Sequence, residues 1–138
     1  MKLKLMLVML IASAAAGADK SASHLALAET LAKQENWNAA IAEYQQALRS
    51  NPGSAAAHHD LARSLAAEGN NAWAFAEYRV AVALDPNNAA AHRELALGLE
   101  QNGNLKSAFS EIALACRLNP RDPVMRADFD RLQAQVRP

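Results

Sequence analysis

Three prolines, Pro52, Pro86 and Pro120, lie 34 residues apart, and the residues between them recur in register. Self-similarity at one fixed period predicts an array of equivalent structural units rather than a domain with a single irregular core. The recurring positions are His24/His58/His92, Leu27/Leu61/Leu95, Ala28/Ala62/Ala96, Leu31/Leu65/Leu99, Ala40/Ala74/Ala108, Tyr44/Tyr78/Ile112 and Ala47/Ala81/Ala115.

Each 34-residue block contains two stretches with the spacing of one helix face. In the first stretch the recurring positions are separated by three and four residues, as expected for a helix that buries one side. Glycine and asparagine, at Gly69–Asn70 and Gly103–Asn104, separate the two stretches. Glycine can adopt the left-handed conformation after a helix, and asparagine can cap the next one. The first block has Glu35 instead of glycine, which predicts a looser turn.

The pattern of alanine, leucine, tyrosine and proline in these blocks resembles the tetratricopeptide repeat family, over about residues 21–122. The blocks depart from the family in having histidine at the fourth position, and Ile112 where the family has an aromatic residue. The resemblance implies an all-α, right-handed α-solenoid of three helical hairpins followed by a C-terminal capping helix. The expected boundaries are repeats 21–54, 55–88 and 89–122, with the capping helix at 123–136.

The first 18 residues have the features of a secretory signal peptide. Lys2 and Lys4 precede an apolar run of about 12 residues, which is shorter than the roughly 20 that span a bilayer. Ala16-Gly17-Ala18 has the small-x-small form of a cleavage site. We therefore expect cleavage after Ala18, a mature domain of residues 19–138 and a periplasmic location. The alternative is an uncleaved segment that anchors the protein to the inner membrane.

Composition disfavours two classes of partner. Without residues 1–18 the chain has 12 lysines and arginines against 14 acidic residues, a net charge of −2. No basic excess is then available to attract nucleic acid or an anionic membrane. No glycine-rich phosphate loop, HExxH helix or nucleophilic-serine motif occurs, so we expect neither an enzyme nor a bound cofactor.

The last segment has the pattern of a terminal helix with one apolar side. Asp122 and Pro123 suit the cap and first position of a helix. Met125, Phe129 and Leu132 then fall on one face, together with Val136, which predicts a helix covering the last hairpin. A partner-binding helix is the alternative interpretation.

The histidine row could suggest a metal site, but its spacing disfavours one. Equivalent positions in consecutive hairpins should lie about 10 Å apart, whereas zinc ligands converge to about 2 Å from the ion. We expect each ring to fill the aromatic position of the repeat and to form local hydrogen bonds. Glutamates also recur at one position and were expected on a solvated helix face: Glu43, Glu77 and Glu111.

Cys116 is the only cysteine, so it cannot form a disulfide within the chain. We expect a buried, unreactive thiol, with an intermolecular disulfide as the alternative. Phe75 and Phe109 occupy equivalent positions and are expected in the core. Trp37 and Trp73 are not equivalent, and one of them could be an exposed contact residue.

The resemblance also implies a concave groove lined by the first helix of each repeat. Carried over to this chain, His59, Arg63 and Arg93 would form a positive centre. Leu25 and Glu29 stand where some family members have the lysine and asparagine that clamp a C-terminal carboxylate, so that clamp is absent. The predicted groove residues are Leu25, Glu29, Lys33, His59, Asp60, Arg63, Arg93, Glu94, Leu97 and Gln101.

These observations favour a non-catalytic adaptor of the bacterial cell envelope that binds a peptide or protein segment. Pilus, secretion and outer-membrane assembly are the settings that the resemblance implies. The first alternative is a homo-oligomer in which the first hairpin or the last helix stacks on another copy. A weaker alternative is a metal- or haem-handling factor built on the histidines.

Overall fold

The computed structural model describes the backbone of residues 2–137 and the side chains of residues 16–137. Within that part of the chain every regular element is an α-helix. The helices are α1 (Lys2–Lys33), α2 (Trp37–Ser50), α3 (Ala55–Ala67), α4 (Asn71–Leu84), α5 (Ala89–Gln101), α6 (Leu105–Leu118) and α7 (Pro123–Val136).

Helices adjacent in sequence pack as hairpins, α1 with α2, α3 with α4 and α5 with α6, and the hairpins stack in chain order. Helix α7 then packs on α6. The predicted all-α solenoid of three hairpins and a terminal helix is confirmed.

Helix α1 is longer than the repeat pattern predicts, because it runs from Lys2 without a break at Ala18. Its packing begins at Ser21, which is buried and donates a hydrogen bond from Oγ to the Ala47 carbonyl at 3.1 Å. In the part of the chain that the structure describes, no helix combines the length and the apolar character needed to cross a membrane.

Alanines form the seams between helices. Six of the recurring alanines are almost completely buried, since a single methyl group lets two helix backbones approach closely. Leucine and tyrosine fill the space beside each contact, which fixes how one hairpin sits on the next. The buried alanines are Ala28, Ala40, Ala62, Ala74, Ala96 and Ala108.

The three turns inside the hairpins have one shape, so the prediction of a looser first turn is wrong. Glu35 has φ 58°, beside 91° at Gly69 and 75° at Gly103. The amide of the following asparagine donates to the carbonyl five residues earlier in all three turns, at 2.8–2.9 Å. Glu35 therefore adopts a left-handed conformation that residues with a Cβ rarely occupy.

Side-chain caps begin most of the later helices. Ser54 and Asn88 accept hydrogen bonds from backbone amides of α3 and α5, and Asp122 accepts two from α7 as predicted. Asn104 caps α6, but the same prediction is wrong for Asn70, whose side chain forms no capping hydrogen bond with α4.

One glycine is required by close packing. A Cβ added at Gly98 in α5 would lie 2.6 Å from the Phe75 ring, well inside van der Waals contact. Phe75 from α4 therefore packs directly on the backbone of α5, which confirms that it is a packing residue. Phe109 packs in the same way at the end of the array, where its ring lies 5.1 Å from that of Phe129 in α7.

Candidate functional site

Two adjacent cavities lie where first helices of neighbouring hairpins meet, and we call the surface that contains them the inner groove. The first has a volume of about 290 Å³ between α1 and α3; the second, of about 100 Å³, lies between α3 and α5. The first cavity is lined by Glu29, Ala32, Lys33, Tyr44, Asp60 and Arg63, and the second by Ala66, Asn71, Ala74, Phe75, Tyr78, Glu94, Leu97, Gly98 and Gln101.

The inner groove brings together seven of the ten residues predicted from the sequence. Glu29, Lys33, Asp60 and Arg63 line the first cavity, and Glu94, Leu97 and Gln101 line the second. Leu25 is half-buried against the core, and neither His59 nor Arg93 lines a cavity. The three that lie elsewhere have structural partners instead.

The predicted positive centre is wrong, because acidic side chains neutralise its cations. Arg93 donates from Nε to Asp128 at 2.7 Å and from Nη1 to Glu94 at 2.9 Å. Asp128 also accepts from Arg131, which in turn pairs with Glu100. Helix α7 therefore provides ion-pair partners for the cation that the groove was expected to use, and the network fixes α7 against α5.

Arg63 remains the most available cation of the inner groove. Its side chain is 66% exposed, against 25% for Arg93, and its nearest acidic atom is Asp60 Oδ1 at 3.5 Å. Glu29 and Lys33 complete the charges around the first cavity. The cavity thus offers two cationic and two anionic groups around a floor made by Ala32.

Two buried tyrosines from the second helices form the base of the groove. Burial, helped by the nearby carboxylates Asp60 and Glu29, raises the pKa of Tyr44 to about 12. Burial, and next the carboxylate of Glu94, likewise raises the pKa of Tyr78. Both hydroxyls are therefore protonated at neutral pH and can donate a hydrogen bond. The sequence marked both tyrosines as core residues and missed their place in the cavities.

His59 lies behind the groove rather than in it. Its ring centroid is 5.8 Å from that of Tyr78, and Nδ1 is 3.6 Å from Asp60 Oδ1. Nε2 is buried and has no hydrogen-bond partner within the described residues. The ring supports the wall formed by Tyr78 and Asp60.

The recurring histidines pair with the recurring glutamates, so the expectation of a solvated glutamate face is wrong. His24, His58 and His92 each place Nδ1 2.5–2.6 Å from an Oε2 atom 19 residues later. The partners are Glu43, Glu77 and Glu111 respectively. Each pair joins the two helices of one hairpin, which explains why both residue types recur at the 34-residue period.

Two of these rings have a second acceptor. His58 Nε2 lies 3.0 Å from the Pro52 carbonyl, and His92 Nε2 lies 2.9 Å from the Pro86 carbonyl. A ring that serves a carboxylate and a carbonyl must donate from both nitrogens, as the imidazolium form does. Local hydrogen bonding of the histidines, predicted from the sequence, is therefore confirmed.

Metal and thiol chemistry receive little support from the geometry. Among the described side chains, no group of three histidine, cysteine, aspartate or glutamate residues could hold a metal ion. Cys116 is half-buried, its thiol donates to the Met125 carbonyl at 3.3 Å, and burial raises its pKa. The thiol form predominates at neutral pH, so the thiolate nucleophile is scarce.

A family model described as "Tetratricopeptide repeat" matches residues 25–89 and 76–123, well over half of the sequence. The chain belongs to the tetratricopeptide repeat family. No curated protein matches it significantly.

Solved tetratricopeptide repeat structures share this fold at low sequence identity. The Arabidopsis OM64 TPR domain is 19% identical, with a TM-score of 0.80 over 87% of this chain and 99% of its own. The first TPR of Spaghetti (RPAP3), bound to the HSP90 peptide SRMEEVD, is 16% identical, with a TM-score of 0.80 over 86% and 94%.

A bacterial secretion chaperone is also similar. SycD of Yersinia enterocolitica, in complex with a peptide of the translocator YopD, is 17% identical, with a TM-score of 0.77 over 86% of this chain and 96% of its own.

Proposed function

We propose that this protein is a non-catalytic adaptor that holds a peptide segment of another protein in the inner groove. The observation that carries the proposal is the pair of adjacent cavities, each with a protonated tyrosine hydroxyl at its base. Hydroxyl donors in adjacent cavities suit the carbonyl groups of a peptide backbone. Two structures with this fold, Spaghetti and SycD, were solved with bound peptides, which supports the same use here.

The charges of the groove favour a segment that carries both signs. Arg63 and Lys33 can pair with acidic side chains of a peptide, while Glu29 and Asp60 can pair with basic ones. A C-terminal carboxylate is a poorer ligand, since Leu25 and Glu29 replace the clamp residues and Arg93 is neutralised. We therefore expect SRMEEVD, the peptide bound by the Spaghetti domain, to bind this chain weakly.

The setting that we propose is the bacterial cell envelope, after export and cleavage following Ala18. Ala18, Asp19 and Lys20 are exposed, and packing against α2 begins only at Ser21. Cleavage at that bond would leave the contacts of the first hairpin in place, which supports the proposal. Partners in pilus, secretion or outer-membrane assembly would then be accessible to the groove.

Peptide selection tests the groove directly. The full chain would be panned against a random-peptide display library, alongside Ala32→Arg/Ala66→Arg, which places a long side chain in each cavity. Ala42→Arg is the matched control, because Ala42 is exposed on α2 and lines neither cavity. We expect wild type and the control to enrich the same peptides and the double variant to lose them. Equal enrichment by all three proteins would exclude the inner groove as the binding site.

The mass of the protein after expression in a bacterium with an intact export pathway tests the proposed location. We expect the periplasmic fraction to contain a chain that starts at Asp19. Ala18→Arg should accumulate as the uncleaved precursor, because the residue before the cleaved bond must be small. Recovery of the uncleaved wild type from the cytosol would contradict the proposal of export without affecting that of peptide binding.

A further inference from the structure

Helix α4 has an apolar surface on the side that faces away from the core. Its 14 residues include two charged side chains, Glu77 and Arg79. Trp73, Val80 and Leu84 are exposed, and 65% of the tryptophan surface is accessible. The equivalent positions of α2 are alanine, glutamine and serine. Exposed apolar surface that is concentrated on one helix is typical of an interaction site.

The outer face of α4, which we define as Ala72, Trp73, Ala76, Arg79, Val80, Ala83 and Leu84, carries both a projection and a hollow. Trp73 projects near the N-terminal end of the helix. A shallow hollow of about 470 Å³ lies toward the C-terminal end, and Ala76 and Ala83 give it depth. Val80, Leu84 and the stem of Arg79 form the rest of its lining.

We propose that two copies of this chain pair through the outer faces of their α4 helices, antiparallel about a two-fold axis at the level of Tyr78. Trp73 and Ala83 lie five residues on either side of Tyr78, so the axis places each tryptophan beside Ala83 and Leu84 of the other copy. Each hollow then receives the tryptophan of its partner. Ala76 of one copy lies level with Val80 of the other, so small residues meet large ones.

The spacing along the helix also suits a helix–helix contact. Trp73, Ala76, Val80 and Ala83 are separated by three, four and three residues, the rhythm of a packed helical seam. The distance from Trp73 to Ala83 along the axis is about 15 Å, given a rise of about 1.5 Å per residue. The seam therefore extends over most of α4.

A second copy fits this surface better than a charged partner. The projection and the hollow are both on one helix at equal distances from Tyr78, as a self-complementary two-fold contact requires. The centre of the face has no charge that could select a charged partner. One helix from each copy buries less than the about 800 Å² per partner of a standard interface. We therefore expect a weak dimer, with a dissociation constant on the order of 100 µM.

Pairing through α4 goes beyond the proposed function and leaves it intact. The cavities of the inner groove are on the side of α4 that carries Ala74 and Tyr78, opposite the outer face. A dimer would present two grooves, so a ligand with two binding segments would gain avidity.

Sedimentation equilibrium of the full chain between about 10 µM and about 1 mM tests the proposal around that dissociation constant. We expect the wild-type mass to rise toward that of a dimer, and Trp73→Ala to weaken association at least tenfold. Trp73 is mostly exposed, so circular dichroism should show an unchanged fold. Leu27→Ala is the matched control, since Leu27 is an exposed leucine on α1. Wild type that remains monomeric would assign the outer face to another protein and overturn the proposal. A mass lowered by Leu27→Ala and unaffected by Trp73→Ala would also overturn it, in favour of the first hairpin.

A charge exchange tests the direction of the pairing. Arg79 is one residue from the axis and exposed, so its two copies lie near each other at one edge of an antiparallel seam. We expect Arg79→Glu mixed with dye-labelled wild type to associate several-fold more tightly than either protein alone, because arginine then faces glutamate. Mixed association no tighter than that of either protein alone would rule out this axis.

Discussion

The first and third hairpins carry the same repeat, yet their equivalent side chains have different surroundings. Leu27 is 47% exposed, whereas Leu95, two repeats later, is 5% exposed. His24 is 38% exposed and its counterpart His92 is 6% exposed. Helix α5 packs on α4, while no helix within residues 16–137 covers the corresponding side of α1. The comparison teaches that the energetic contribution of a repeat position depends on its neighbour as much as on its identity.

Replacing the equivalent leucines should give the largest difference between these hairpins. Leu95→Ala leaves a cavity between α4 and α5, and we expect it to lower the free energy of unfolding by about 3 kcal/mol. Leu27→Ala removes a half-exposed side chain, so about 1 kcal/mol or less is expected. Urea denaturation followed by circular dichroism measures both. Equal losses would show that the outer side of α1 is covered in solution.

The histidines should give the next largest difference. His92→Ala removes the donors to Glu111 and to the Pro86 carbonyl from a buried position, and should lower the free energy of unfolding by about 2 kcal/mol. His24→Ala disrupts one solvent-screened pair, and about 0.5 kcal/mol is expected. The double variants with Glu111→Ala and Glu43→Ala isolate the pair energies. A pair energy for His24–Glu43 as large as that for His92–Glu111 would contradict this ranking.

The turns distinguish the first hairpin in the opposite direction. Glu35→Gly should raise the free energy of unfolding by about 0.5–1 kcal/mol, because glycine occupies φ 58° without strain. Gly69→Ala is the matched change in the second hairpin and should lower it by about 1 kcal/mol. An added Cβ at Gly69 contacts no atom within 4 Å, so its effect reports backbone conformation alone. Thermal denaturation of the two variants should shift in opposite directions.

The tyrosines should give an effect that is absent at neutral pH. The folded state raises the pKa of Tyr44 from 10.0 to about 12, so it holds the phenolic proton more tightly than the unfolded chain. The stability that depends on this proton is complete below pH 10 and is lost as the pH rises toward 12. Tyr44→Phe/Tyr78→Phe should flatten that decline. The third hairpin has Ile112 at this position, so Ile112→Val should leave the alkaline decline unchanged.

The 34-residue period was sufficient to predict the hairpins, the alanine seams and the terminal helix. These features depend on spacing alone, and spacing can be read from the sequence. The conformation of Glu35 could not be predicted in this way, because the hydrogen bonds of the turn and the packing of α1 on α2 impose it. Local preference for a residue type gave the wrong expectation where tertiary packing was stronger.

The site was less predictable than the fold, because its charges pair across helices. The pairing of histidine with glutamate depends on which face of the second helix meets the first, and the shared period was the one available signal. Asp128 neutralises Arg93 from α7, although it continues the row of Asp60 and Glu94 at 34-residue spacing. That row extended the repeat into the terminal helix, where the sequence analysis considered only apolar positions.

The polar and apolar parts of each hairpin differ in how far they reach along the chain. The imidazole of His58 has both of its acceptors within residues 52–77, so a segment of one repeat length contains a complete set of these hydrogen bonds. The alanine and leucine contacts instead need the adjoining hairpin. A synthetic chain made of tandem copies of residues 52–85 would therefore carry its own polar fastenings into every copy, and each added copy would contribute mainly one new apolar junction.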